Sequence, residues 1–513
     1  MPVLLRSAAL AAALALSTLA PAAWAQTPCT GGTVTAGGET FACDGVDFYA
    51  RLAPTELGAP PLAGCPTRAC LNDLWGWTDP LTGREYALVG VSNGTAFVDV
   101  TVPAAPRRLG VLPTATSPST WRDVKTYGTT AYVVSEAFGH GLQVFDLRRL
   151  RRLGEDPDRV FQPDARITDF GSTHNVVVDE DAGRVIAVGG ACGSGLQTYT
   201  LEDPLAPAFA GCSGGTGYIH DAQCLVYDGP DPDYAGRNVC VGFNNDSVFV
   251  LDATDPANVT RIATGVYPGS RYAHQGWLTD DRRYLLINDE ADEGDTADRT
   301  RTILFDVQDL DDPEFLGFYL NPSTTTVDHN LYVRGRLAYQ ANYNNGLRIL
   351  NLARVGRAQL REVAFFDTFP GPPDGFQDPF DGAWSVYPFF ESGTVVVSDQ
   401  IYGLFVLRLA PATQQQVTAM PDPTSLAATE LTLDVRTPAR GAARATFSAP
   451  AGEPVRVALY DLRGRELGVL FDGPAAGTPQ HVTVDGEAVA AGVVIVRAET
   501  AEGHLARRLT FVR

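Results

Sequence analysis

Four of the seven histidines, His174, His220, His274 and His329, recur at intervals of 46, 54 and 55 residues. Each is followed by a polar residue: Asn175, Asp221, Gln275 and Asn330. Neutral imidazoles brought together this way could bind zinc, copper or iron, with the neighbouring carboxamides orienting them. The plainer reading, which the residues by themselves favour, is that each imidazole hydrogen-bonds a neighbouring segment and fixes packing, because buried polar groups need partners. A second constellation is the run 288–298, where Asp289, Glu290, Asp292, Glu293 and Asp295 put five acids into seven residues. Such a density of hard oxygen donors suits calcium, although the spacing matches no EF-hand loop and the residues favour a solvated hairpin tip. Asp228, Asp231 and Asp233 read as turn residues. No GxSxG elbow, HExxH pair or phosphate-cradling glycine loop occurs, so no catalytic residue is assigned.

The elements that must position these side chains are repeats. The segment "TVDHNLYVRGRLAYQANYNNGLRILNL" recurs as "THNVVVDEDAGRVIAVGG", as "IHDAQCLVYDGPDPDYAGRNVCVGF" and as "AHQGWLTDDRRYLLINDE". Weaker copies begin at Leu71, Trp121 and Gly382, so the aligned position is Asn72, Arg122, His174, His220, His274, His329 and Ala383. In the weaker copies Asn72-Asp73 and Arg122-Asp123 replace the histidine and its partner. Each unit reads as three strands with Gly/Asn/Asp turns, usually with a fourth apolar segment, at a period of about 50 residues. That pattern predicts an all-β, seven-bladed β-propeller over 71–410. The aligned side chains would then ring one mouth of the channel, as ligand or channel-mouth residues. The seventh unit lacks a fourth strand, and an orphan segment at 46–54 is expected to supply it and close the ring. A Gln/Pro/Ser/Thr linker at 411–428 precedes a small β-sandwich-like domain at 429–513. Trp75, Trp77, Tyr332, Tyr339 and Tyr343 could stack on sugars, but aromatics between blades are more often core.

Composition narrows the function classes. The formal charge is −21, and the tail from Glu430 onward is balanced, so the acidic excess belongs to the preceding region. Such a surface repels phosphate backbones, which argues against a nucleic-acid partner. Residues 1–25 read as a secretory signal peptide, and no later run is long enough for a transmembrane helix. The segment 26–70 carries four of eight cysteines. Cys29, Cys43, Cys65, Cys70, Cys192, Cys212, Cys224 and Cys240 are expected to form disulfides in an exported chain. Sequence neighbours suggest 29–43, 65–70, 192–212 and 224–240, with other connectivities open.

The segments "WRDVKTYG", "HDAQCLVYDGPDPDYAGR", "HQGWLTDDRRYLL" and "DHNLYVRGRLAYQANYNNGLRILNL" resemble LVIVD-type surface repeats and the choice-of-anchor B family. The resemblance covers about residues 40–410 and implies an exported, surface-associated propeller without a defined activity. "YDLRGREL", "AAGVVIVRAE" and "RRLTFVR" are similar to type IX secretion sorting domains, with Val494 where an aromatic is usual. That likeness implies engagement of the type IX machinery through 429–513 and display on, or release from, the outer cell surface. The expected function is a non-enzymatic scaffold binding an extracellular protein or glycan. The alternative is a metal-dependent hydrolase or oxidoreductase at the histidine-lined mouth.

Overall fold

The computed structural model describes residues 26–511 except 155, 157, 158, 294–298, 323, 372–377, 420–430, 436–441, 479, 487–491 and 502. The signal-peptide segment 1–25, Asp295 and the second half of the expected linker lie outside the described residues. The chain forms two compact units, Met1–Leu350 with Arg361–Gln414, and Asn351–Leu360 with Gln415–Arg513.

The first unit is a β-propeller built from antiparallel sheets in which consecutive strands pair as neighbours. The sheet Leu71–Thr78, Glu85–Val91, Gly94–Asp99 and Arg107–Pro113 is typical: a meander whose second and third strands are buried throughout. Burial on both faces explains why its strands read as continuous apolar runs rather than as an alternation. The first strand of each sheet lies against the first strand of the next. The order is Leu71–Thr78, Arg122–Tyr127, Asn175–Asp179, Asp221–Val226, Ala273–Leu278, Asn330–Arg334 and Ala383–Tyr387, and the last returns to Leu71–Thr78.

Two N-terminal pieces extend sheets made by the far end of the chain. Val46–Leu52 pairs antiparallel with Gly403–Leu409, and Glu39–Asp44 joins the edge of Gln359–Phe366 through Cys43–Phe366 and Asp44–Phe365. Disulfides link Cys29–Cys43, Cys65–Cys70, Cys192–Cys212 and Cys224–Cys240, and no described cysteine is free. Four disulfides fit an oxidising, extracytoplasmic compartment. No described helix is long and apolar enough to cross a membrane.

The segment read as a linker begins with a helix, Pro411–Ala419. Proline in its first turn suits helix entry, where the missing N–H has no intrahelical acceptor to lose. Beyond it the second unit holds two sheets. One comprises Thr432–Val435, Ala442–Ser448 and Gln480–Asp485; the other comprises Pro454–Tyr460, Glu466–Pro474, Gly492–Thr500 and Gly503–Phe511. Buried side chains from both, including Phe447, Val457, Val496 and Leu509, form one core.

Candidate functional site

The four repeated histidines stand at, or just before, the start of adjacent first strands, and their rings form one continuous arc. Centroid separations are 4.2 Å from His174 to His220, 4.4 Å from His220 to His274 and 4.2 Å from His274 to His329. Three of the rings are almost wholly buried. Burial holds His220 and His274 well below the usual imidazole range and His329 down to about 3. These three imidazoles are therefore neutral at physiological pH, each with a lone pair on one ring nitrogen.

Packing accounts for part of the arc. His329 donates from Nδ1 to the Trp384 carbonyl at 2.5 Å, His174 Nδ1 meets Glu136 at 2.6 Å, and His220 Nδ1 lies 3.0 and 2.9 Å from the hydroxyls of Tyr218 and Tyr272. It leaves other nitrogens over. His220 Nε2 is buried with no hydrogen-bond partner among the described residues. Nε2 of His274 lies 3.8 Å from Glu290 Oε2, and Nε2 of His329 lies 3.7 Å from Glu290 Oε1. Those separations are too long for direct hydrogen bonds. They suit three donors facing a common point, and the ligand atoms of His274, Glu290 and His329 all lie within 4.8 Å of one another. Glu290 is fixed by the Tyr343 hydroxyl, which donates to Oε1 at 2.5 Å, while burial pushes its carboxyl up to about 7. With Nδ1 of His329 committed to a carbonyl, its Nε2 lone pair points to the open side, the tautomer in which metal-binding histidines are held.

The polar residues paired with the histidines divide. Asp123 Oδ2 accepts the Val176 N–H at 2.8 Å, and Gln275 Oε1 accepts the Leu331 N–H at 2.8 Å. Asn72 donates to the Thr120 carbonyl at 2.8 Å, and Asn175 donates to that of His220 at 3.2 Å. These four fasten one first strand to the next. Arg122 is buried against His140, with 3.0 Å between its guanidinium and Nε2. Arg122, Asn175 and Asn330 line a small cleft with His174, His274 and His329. Asp73 and Asp221 accept their own neighbours' N–H groups, from Leu74 and Ala222; Asp73 lines the histidine cleft and also approaches Lys125, while Asp221 borders a different cavity beside Lys125.

Lys125 Nζ lies 2.5 Å from Asp123 and 3.8 Å from Asp73, and 4.8 Å above the Trp75 ring. Burial raises the Asp73 and Asp221 carboxyls, to about 8 and about 7. Lys125 and Asp221, with Trp75, Trp277 and Tyr332, border a cavity of about 240 Å³. Of the other aromatics singled out in the sequence, Trp77 is buried and donates to the Gly128 carbonyl, and Tyr339 is buried in its strand.

The acidic run separates as well. Asp289 is consumed by its turn, accepting from the Tyr267 hydroxyl and from the N–H groups of Arg271, Tyr272 and Ala291. Glu290 joins the histidines, and Asp292 forms an ion pair with Arg301. Asp231 accepts the N–H groups of Asp233 and Leu310 and so shapes turns, although Asp309 and Asp311 lie close by. Tyr218, Tyr272, Glu136, Lys125 and Asp328 escape sequence reasoning, and Tyr343, read there as a stacking or core aromatic, is the donor that fixes Glu290. Asp328 alone carries a sequence signal, as the residue directly before His329.

No family model matches the chain, and no curated protein matches it. Among solved structures, the β-propeller domain of Cps50 (Swd1) from Myceliophteria thermophila aligns at 12% identity and a TM-score of 0.42, covering 63% of this chain and 93% of that one. A protein from Lactobacillus plantarum aligns at 12% identity and a TM-score of 0.43, covering 81% and 100%.

Proposed function

We propose that this protein is an exported, disulfide-stapled propeller of seven blades that acts as a binding scaffold and holds a divalent transition-metal ion at one mouth of its channel. His274, Glu290 and His329 are the ligands, with His220 next to them. The observation that carries this reading is the convergence of two neutral imidazoles and one carboxylate on a common point, beside a buried His220 nitrogen that packing leaves without a partner. In a purely structural arc that nitrogen is a cost of about 1–3 kcal/mol with nothing to offset it. The seven-blade count is supported by the cyclic order of first strands and by the antiparallel pairing of Val46–Leu52 with Gly403–Leu409. The aromatic-sided cavity near Lys125 has the size and lining for a sugar ring, which supports an extracellular glycan among the ligands. The tail 429–513 is the segment read as the type IX sorting signal.

The test is metal analysis of chelator-stripped and reloaded protein, with melting followed at increasing metal. About one zinc, iron or copper per chain is expected, with a stabilisation of about 2.7 kcal/mol at a hundredfold excess over Kd. His274→Ala and His329→Ala should each lose both. Wild-type protein that retains no metal and shows no metal-dependent melting shift would refute the reading.

A further inference from the structure

The cavity beside Lys125 is a layer of the repeat. Its border takes the residue three places after the aligned position in successive units: Trp75, Lys125, Val177, Gln223, Trp277 and Tyr332. Residues two apart on a strand share a face, and Asp221, two places before Gln223, borders the cavity as well. The three aromatic rings meet edge to face, with Tyr332 at 5.0 Å from Trp277 and 5.5 Å from Trp75. Charge on this border is uneven. Both of its cations are committed, Lys125 to Asp123 and the face of Trp75, Arg282 to Asp228 at 3.1 Å. Three of its carboxylates, Asp221, Glu180 and Asp181, make no ion pair among the described residues. Asp221 Oδ1 accepts the Ala222 N–H at 2.7 Å, and no described donor reaches Oδ2. Gln223 Oε1 accepts the Leu278 N–H at 2.8 Å, which leaves its amide N–H groups for a ligand oxygen.

We propose, building on the glycan reading of this cavity, that the sugar it takes is a protonated amino sugar, with its ring against Trp277 and Tyr332 and its ammonium on Asp221. A cleft with unpaired carboxylates between low-dielectric walls concentrates cations, and the negative faces of the aromatic rings add to that attraction. A uronate would meet the same carboxylates as a like charge. An N-acetylated sugar would stack equally well but would leave Asp221 without a charged donor. At about 240 Å³ the cavity is smaller than the roughly 300–1,000 Å³ of sites for drug-sized ligands, which suits one sugar unit. None of His274, Glu290 and His329 borders it, so this site does not depend on bound metal.

The experiment is calorimetric titration of the full-length protein at neutral pH and physiological salt with three short oligosaccharides: glucosamine, N-acetylglucosamine and galacturonate oligomers. The glucosamine oligomer is expected to bind a single site about tenfold or more tighter than its acetylated counterpart, the ratio a charge-assisted hydrogen bond supplies. The galacturonate oligomer should not bind, and chelator treatment should change none of this. Asp221→Asn, which keeps an acceptor for the Ala222 N–H, should bring glucosamine binding down to the acetylated level, while Trp277→Ala should lose both. The ranking of the three sugars by the wild type stands as a test even if a substituted protein fails to fold. Acetylated oligomer bound as tightly as the glucosamine one, or glucosamine binding undiminished in Asp221→Asn, would overturn the proposal and leave the glycan reading in place. A wild type that binds none of the three would overturn both.

Discussion

At the scale of single residues, burial turns common side chains into specific ones. Lys125, the chain's only lysine, carries no motif, yet it is the cation that neutralises Asp123 and Asp73 in the first strands. Removing a partner from a buried ion pair leaves uncompensated charge, so Lys125→Met should cost about 3–5 kcal/mol by denaturant unfolding. Asp399 offers a pH test away from any proposed metal. It is buried, accepts the N–H groups of Ile401 and Tyr402 and the Thr368 hydroxyl, and burial raises its carboxyl to about 7. A carboxyl raised from about 4 to about 7 contributes stability that is complete below pH 4 and lost as pH rises through 7. Asp399→Asn, which keeps an acceptor for both N–H groups, should flatten that fall between pH 4 and pH 7. Melting curves across this range check it, and equal slopes for the two proteins would count against the assignment.

Among the elements, the strand Val46–Leu52 has the largest leverage. Without it Gly403–Leu409 is an open edge carrying unpaired N–H and C=O groups, a template for pairing with other chains. Deleting 46–52 should convert a monodisperse protein into an aggregating one, as read by size-exclusion chromatography. Gly403 is the sensitive point of that junction. Its φ is +103°, and a Cβ there would lie 2.0 Å from the Leu52 carbonyl oxygen. Gly403→Ala must move the incoming strand or distort its own turn, and a loss of about 1–3 kcal/mol follows. If the substitution leaves the melting temperature unchanged, the two strands do not meet as closely as this.

For the whole molecule, the two sheets of the tail share a core of their own, which makes the tail separable. Truncation before residue 429 should leave a folded propeller with unchanged cooperative melting, retained in the periplasm if the tail is the sorting signal. Surface display of the truncated protein at the full level would end that reading. Much of this organisation is visible in the sequence alone: the period near 50 residues, the strand starts at or beside Asn72, Arg122, His174, His220, His274, His329 and Ala383, and cysteine neighbours close enough to pair. These are local properties, encoded by alternation, turn residues and short separations. Tertiary structure alone decided which atoms meet. Asp289 and Glu290 are adjacent, yet one is consumed by backbone donors and the other faces two histidines. Asp123 and Gln275, expected as ligand or channel-mouth residues, each accept a backbone N–H from the next first strand. Asp328, next to His329 in sequence, is fully buried with neither carboxylate oxygen hydrogen-bonded among the described residues. Hydrogen-bond partners, burial and charge environment depend on contacts between chain segments about 20 to more than 50 residues apart, and a pattern read along one strand holds no record of what packs against it.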